Sequence, residues 1–367
     1  MKISVSIITY NHEDFIGQAI DSVLMQQVNF DYEIVIGEDC STDHTRDILL
    51  DYERRYPDRI RLLLHEKNLG IHLNAIQTLQ ACQGEYIAAL EGDDYWTSPH
   101  KLQKQVDFLD SHPECVICFH NAVIFDEEKQ QEVRQYCRPD QKEISTIEDL
   151  LVANFIPTCS VMYRNGLIGQ FPDEFKKLPM GDWVSHILMA QYGKIGYINE
   201  VMGGYRVHAG GAWSGVNPVY RLQMTFEFYD AVDTYLNFKY DKIIKANRLK
   251  HWDSLAQYLA GEANNQSSVQ AAEQFMAEQF ENWPDKLPSP PQGWKSQILS
   301  KIYAHFGFDS YSKHDLATTR YCWLRAIRYD PSWLRNRGVW SICIEAYLNL
   351  WLVDWLRRGN KASYPSK

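Results

Sequence analysis

The chain has 367 residues, 45% of them hydrophobic, and a formal net charge of −10. That length buries a sizeable core and accommodates one large domain with an appendage, or two domains. The acidic balance argues against a general nucleic-acid binder, whose phosphate contacts demand clustered Lys and Arg.

Apolar runs bounded by turn residues alternate with segments of helical period from the first residue onward. KISVSIITY predicts a strand and DFIGQAIDSVLMQ an amphipathic helix; YEIVIGED, the helical DHTRDILLDYERRY, IRLLLHE, LNAIQTLQAC and EYIAALEG follow. Four strands with three intervening helices predict a parallel sheet covered on both faces. A further helix is predicted to open at Ser98-Pro99, a hydroxyl cap followed by proline at the first helical position.

Ligands of such sheets gather at the carboxyl ends of the strands, where loops and helix N-termini converge. Thr9-Tyr10-Asn11, Glu38-Asp39 and Asp93-Asp94 all fall there and are expected to face one cleft. Neither G-x-G-x-x-G nor the P-loop pattern is present, so any phosphate is held without a glycine cradle.

Glu91, Asp93 and Asp94 end the apolar run YIAAL, and like charges so close repel one another. A hard divalent cation, Mg2+ or Mn2+, resolves the conflict, because it takes one or two carboxylates and fills its other positions with water and substrate phosphates. The expected ligand is therefore a nucleoside diphosphate, with the cation stabilising charge on the departing phosphate. Asp39 could accept a hydrogen bond from the N3–H of a uracil or thymine, and Tyr10 could stack on that base. The plainer alternatives are a solvated turn for the aspartates and packing for Tyr10.

Further along, CVICFHNAVIF and CSVMYRN predict strands, GDWVSHILMAQYG a helix opening at Asp182, and KIGYINEVMGGYRVH one or two strands. From Pro218 to about Phe275 the chain reads as mainly helical, WPDKLPSPPQGW as a proline-rich linker, and the remainder as a helical tail. The eight cysteines lack paired metal-ligand spacing and no secretory leader precedes the first strand, so a reducing, cytoplasmic setting is expected. Cys115 and Cys118 form the only C-x-x-C and are expected to be small buried side chains.

The tail differs in character. Between Arg320 and Lys367 nine Lys and Arg face only Asp330, Glu345 and Asp354, and five of the eleven tryptophans lie in Trp323 to Trp355. With two acids inside it, GVWSICIEAYLNLWLVDWL is a poor transmembrane span. Its flanking arginines suit an anionic membrane surface, and the alternative is docking onto the helical region or a second subunit.

Together, VSIITYNHEDFIGQAIDSVLMQ, EIVIGEDCSTDHTRDIL, NLGIHLNAIQTLQACQGEYIAALEGDDYW and PMGDW resemble the inverting family 2 glycosyltransferases of GT-A fold, over roughly residues 1–215. The resemblance implies that Thr9, Tyr10 and Asp39 hold the nucleoside, with Asn11 beside them, that Asp93 holds the ribose and Asp94 the metal, and that Asp182 is the catalytic base. YRVHAGGAWS resembles a segment that some members use near the metal, which makes His208 a second candidate ligand and Arg206 a candidate diphosphate contact. Trp96 and Trp183 are expected as cleft walls suited to sugar or acceptor contact. Two departures stand out: Glu38 and Cys40 flank Asp39 where many members have two aspartates and a glycine, and Gly181 precedes Asp182 where a glutamate is frequent. Helix capping is the rival role for Asp182, and local hydrogen bonding for His208.

The expected architecture is α/β. A mostly parallel, Rossmann-like sheet at 1–215 comprises a nucleotide half at 1–118 and an acceptor half at 119–215. A helical extension at 216–282, a linker at 283–294 and a helical tail at 295–367 follow. The expected activity is metal-dependent, inverting transfer of a sugar from a UDP- or dTDP-linked donor to a glycan or lipid-linked acceptor in cell-surface polysaccharide synthesis. It is expected in the cytoplasm, with peripheral membrane contact or a homodimer formed through the tail. The rivals are a sugar-phosphate nucleotidyltransferase, whose glycine-rich, basic first loop is missing from ITYNHEDF, and a non-catalytic nucleotide-sugar-binding protein.

Overall fold

A computed structural model describes residues 1–169, 171–172, 178, 180–211, 218–248, 250–251, 270, 274 and 293–359. Strands β1 (Ile3–Thr9), β2 (Tyr32–Glu38), β3 (Ile60–Leu64) and β4 (Tyr86–Glu91) alternate with helices α1 (Ile16–Leu24), α2 (Thr45–Arg55) and α3 (Ile71–Ala81), as the periodicity predicts. The four strands lie parallel in the order β3-β2-β1-β4. Ile3, Val5 and Ile7 of β1 join Ile16, Ile20 and Val23 of α1 in one core, so the strand's two-residue period and the helix's apolar stripe bury each other.

The sheet continues through β9 (Met162–Arg164), antiparallel to both its neighbours, then β6 (Cys115–Asp126), β10 (Lys194–Val207) and the short β5 (Tyr95–Trp96). Edge strands β7 (Gln131–Gln135) and β8 (Ile144–Ser145) pair with β6 and β10. KIGYINEVMGGYRVH forms one strand, bulged between Ile198 and Gly203. Helices α5 (Ile147–Val152) and α6 (Gly181–Ala190) build a second core with β6, through Leu150, Leu151, Trp183, Ile187 and Phe119. Cys115 and Cys118 are buried in β6 and no cysteine is disulfide-bonded among the described residues.

Helix α4 (Lys101–Ser111) opens two residues later than Ser98-Pro99 predicts. The Ser98 carbonyl accepts from the Gln26 side chain and the Pro99 carbonyl from the Gln27 N–H, so neither is free to start the helix.

The chain divides into two compact units. Residues 1–217 and 227–244 form the first, so part of the expected 216–282 extension belongs with the sheet. Phe228, Tyr229 and Val232 of α7 (Pro218–Tyr235) sit in the same core as Trp183. The second unit holds 218–226 and 245–367. There α8 (Trp294–Ser312), α9 (Leu316–Tyr329) and α10 (Arg337–Gly359) enclose Ile302, Tyr303, Phe306, Trp323, Val339 and Ile342. A Cβ at Gly307 would fall 2.8 Å from Trp323 Nε1, so the helix keeps glycine where the indole lies against it. Residues 283–292 of the proline-rich stretch lie outside the described residues, and Trp294 already belongs to α8.

Candidate functional site

The loops after β1 and β2 are fastened to each other. The Asn11 and His12 N–H groups donate to Ser41 Oγ (2.9 Å) and Thr45 Oγ1 (2.8 Å), while Asn11 Oδ1 accepts from the Thr42 N–H (2.8 Å). Asn11 takes a φ of 54°, in the left-handed region that Asn tolerates better than most residues. Its side-chain oxygen shapes the loop. Asp39 is 2% exposed and receives the N–H groups of Leu69 (2.7 Å) and Gly70 (2.9 Å), while its own N–H donates to the Thr9 carbonyl (3.1 Å). Tyr10 is 41% exposed, as a stacking residue must be. Glu38, one of the two unusual neighbours of Asp39, is fully buried and paired with Arg46.

After β4, the turn Gly92-Asp93-Asp94 meets these loops. A Cβ on Gly92 would lie 2.7 Å from Thr9 Oγ1 and 2.9 Å from His12 Nδ1, so only glycine lets the turn approach so closely. Asp93 Oδ2 stands 3.1 Å from His208 Nε2 and 3.8 Å from His12 Nε2. Burial pushes the Asp93 carboxyl up, but the His208 hydrogen bond and the His12 charge outweigh it and hold the group below its usual value. Burial also lowers His12, against the attraction of Asp93. Phe15 braces His208, with ring centroids 4.8 Å apart.

Asp94 behaves differently. It is 2% exposed; Oδ1 accepts the Arg206 N–H (2.8 Å), and Oδ2 is sealed from solvent beside the Cys159 thiol. Burial and the Asp93 charge push its carboxyl well up, which favours the neutral acid. Of the two expected metal residues, His208 faces Asp93 in this structure and Asp94 turns to the Arg206 N–H. Among the described residues no three His, Cys, Asp or Glu side chains are grouped as a ready-made metal cage. Asp93 and His208 would fit a hard cation that draws most of its ligands from water and phosphate, since one carboxylate and one imidazole converge at a strand-end turn.

Arg206 is a strut. Its side chain donates to the Asp93 carbonyl (2.7 Å), Glu127 and Gln18 Oε1 (2.5 Å), and its guanidinium lies over the Phe15 and Tyr95 rings. These bonds orient the side chain, expected as a diphosphate contact, toward the protein. Trp96 and Trp183, expected at the cleft, are both buried. Trp96 is 2% exposed with Nε1 bonded to the Cys159 carbonyl (2.7 Å), and Trp183 is 6% exposed with Nε1 bonded to the Leu150 carbonyl (3.0 Å). Both indoles belong to cores, not to cleft walls.

Asp182 is the second residue of α6, whose cap position, Met180, makes no side-chain capping bond. Its Oδ2 accepts from Asn154 Nδ2 (2.9 Å), so the carboxylate does not cap its helix. Glu91, at the end of β4, links this residue to the donor side. Burial and the charges of Asp93, Asp94 and Asp182 together push the Glu91 carboxyl well above its usual value. One carboxyl thus feels both aspartate groups. Glu91 was visible in the acid cluster of the sequence but carried no assigned role. His12, Asn154, Glu127 and His72 gave no local signal, because their partners lie far away in the chain.

The Glycosyl transferase family 2 model matches residues 4–169. A protein of Mycobacterium tuberculosis without a characterised function is 39% identical over 210 residues, which are 57% of this chain and 60% of that protein. The chain thus spans less than two thirds of that relative's length. The putative teichuronic acid biosynthesis glycosyltransferase TuaG of Bacillus subtilis is 32% identical over 207 residues, 55% of this chain and 79% of TuaG. Among solved structures, S. aureus TarS 1-349 in complex with UDP-GlcNAc superposes with a TM-score of 0.51 at 17% identity, covering 91% of this chain and 92% of TarS 1-349. That likeness supports the GT-A-type mixed sheet described above. The ordered motifs, the sheet and the relatives agree, and the chain belongs to glycosyl transferase family 2.

Proposed function

We propose that the protein is an inverting, divalent-cation-dependent glycosyltransferase. It moves a sugar from a UDP- or dTDP-linked donor to a hydroxyl of a glycan or lipid-linked acceptor in cell-surface polysaccharide synthesis, at the inner face of the cell membrane. One observation carries this reading: in a chain whose residues 4–169 match the family model, the Asp93 carboxylate at the end of β4 meets His208, just past the end of β10, at 3.1 Å. The cell-wall setting is taken from TuaG and the UDP preference from the donor bound to TarS.

In this reading Asp93 and His208 hold Mg2+ or Mn2+, a reassignment from Asp94 that follows from the Asp93–His208 contact. When bound, the ion offsets negative charge on the departing diphosphate. Thr9 and Asp39 line the nucleoside end and Tyr10 offers its exposed ring to the base. An acceptor hydroxyl is a poor nucleophile at neutral pH, so Asp182, steadied by Asn154, takes its proton as the oxygen attacks. Attack opposite the leaving diphosphate inverts the anomeric carbon and needs only one base, unlike two-carboxylate glycoside hydrolysis.

A thermal-shift panel of UDP, dTDP, GDP and CMP, each with and without Mn2+, tests the donor assignment. Stabilisation by UDP or dTDP that depends on metal supports it, and equal responses without metal contradict it. Pyrophosphate formation from nucleoside triphosphate and sugar phosphate would instead favour a nucleotidyltransferase.

A further inference from the structure

In the second unit, α9, the turn at 331–335 and α10 enclose a groove of about 320 Å³ whose exposed lining is apolar. Leu324 (57% exposed), Trp340 (49%) and Ile344 (51%) line it, and Leu348, one turn beyond Ile344, is equally open. Residues 340, 344 and 348 recur every fourth position, so they form one stripe on α10, while Val339, Ile342 and Ala346 face the core. A soluble helix normally carries charge on that outer face. Here the stripe itself is apolar, with exposed Ser341 and Glu345 beside it.

The charges beside the stripe decide what covers it. Arg328, Arg335 and Arg337 are exposed and have no ion-pair partner among the described residues. The acids nearby keep their charge but are hydrogen-bonded within the protein: Glu345 accepts from the Tyr311 hydroxyl, Asp330 from the Ser332 N–H and Asp315 from the Thr318 N–H. A two-fold contact between copies would set this patch against itself and bring arginine toward arginine. An anionic bilayer presents negative headgroups to the arginines and an acyl boundary to the stripe, with an indole at the interface.

We infer that this face docks the protein on an anionic membrane surface, peripherally and without insertion of a span. No helix among the described residues is long and apolar enough to cross a bilayer. The inference is independent of the reaction proposed above, and its test does not involve turnover.

The test is co-sedimentation of the full chain with vesicles of phosphatidylcholine alone or with phosphatidylglycerol added. The expected result is about tenfold more bound protein on the anionic vesicles, falling sharply in high salt. Arg335→Glu with Arg337→Glu, and separately Ile344→Ser with Leu348→Ser, each abolish most of that binding while far-UV circular dichroism melts stay unchanged. Equal recovery on both vesicle types, or none on either, overturns the inference. So does a concentration-dependent dimer by light scattering that the Ile344→Ser, Leu348→Ser variant dissociates, since a second copy would then be the occupant.

Discussion

The Nδ1 atom of His72 lies 2.3 Å from where a Cβ on Gly181 would stand. His72, near the start of α3, therefore occupies the space that any larger residue preceding Asp182 would need, which gives a physical reason for glycine at that position. Burial lowers the His72 imidazole, against the pull of Asp182, so it sits there neutral. Gly181→Ala should push the start of α6 away and slow turnover about a hundredfold, because sub-ångström misplacement of a base is costly. Adding His72→Ala should recover most of the loss. A double variant as slow as the single one would show that the contact does not set the position of Asp182.

Asp182→Asn removes the proposed base without changing shape. Transfer should fall by about 10²–10⁴, the usual range for a general base, with UDP affinity unaltered. Asn154→Ala should cost less, about tenfold, because it only frees the carboxylate that Asn154 holds at 2.9 Å. Initial rates alongside UDP titrations check both; an unchanged rate in Asp182→Asn would remove it from the chemistry.

The strut role of Arg206 separates folding from binding. Arg206→Ala removes the donor to the Asp93 carbonyl and the cationic partner of Glu127, and should destabilise the first unit by about 2–3 kcal/mol. A residue that only touched diphosphate would raise KM and leave the melting temperature alone. Thermal melts of the apo protein distinguish the two.

Lys101 is fully buried, has no hydrogen-bond partner for Nζ, and stands 3.8 Å over the Trp96 ring. Burial pulls its ammonium down to about 7 from 10.5, slightly opposed by the nearby Cys159 and Cys118 thiols. Between those values the unfolded chain binds a proton that the folded chain has released, so raising the pH from about 7 toward 10 should stabilise the fold. Below about 7 both states are protonated and the full burial penalty remains. Lys101→Met should therefore raise stability at pH 7 by about 1–3 kcal/mol and flatten this dependence, as chemical denaturation at several pH values would show.

Much of the fold could be read from the chain because β1 to β4 and their helices carry strong local periods and short connections. The buried β6 and the turn at residues 92–94 were legible for the same reason. What escaped depends on long-range geometry. Ser98-Pro99 reads as a helix start until Gln26 and Gln27 claim its carbonyls. In GDDYW the order of residues does not reveal that Asp94 turns inward to the Arg206 N–H, 112 positions away, while Asp93 turns toward His208. Trp96 and Trp183 illustrate the same limit, since an indole beside a motif serves a core or a cleft according to which carbonyl its N–H finds.

In the proposed reaction Asp93, facing His208, seats a divalent cation that joins the protein to a nucleoside diphosphate. Calorimetric titration of UDP into the wild type and Asp93→Ala, with and without Mn2+, tests it most directly. The account predicts that Mn2+ tightens UDP binding to the wild type by at least about tenfold and leaves Asp93→Ala almost indifferent. UDP binding that ignores Mn2+ in the wild type, or that Mn2+ tightens equally in Asp93→Ala, would contradict it.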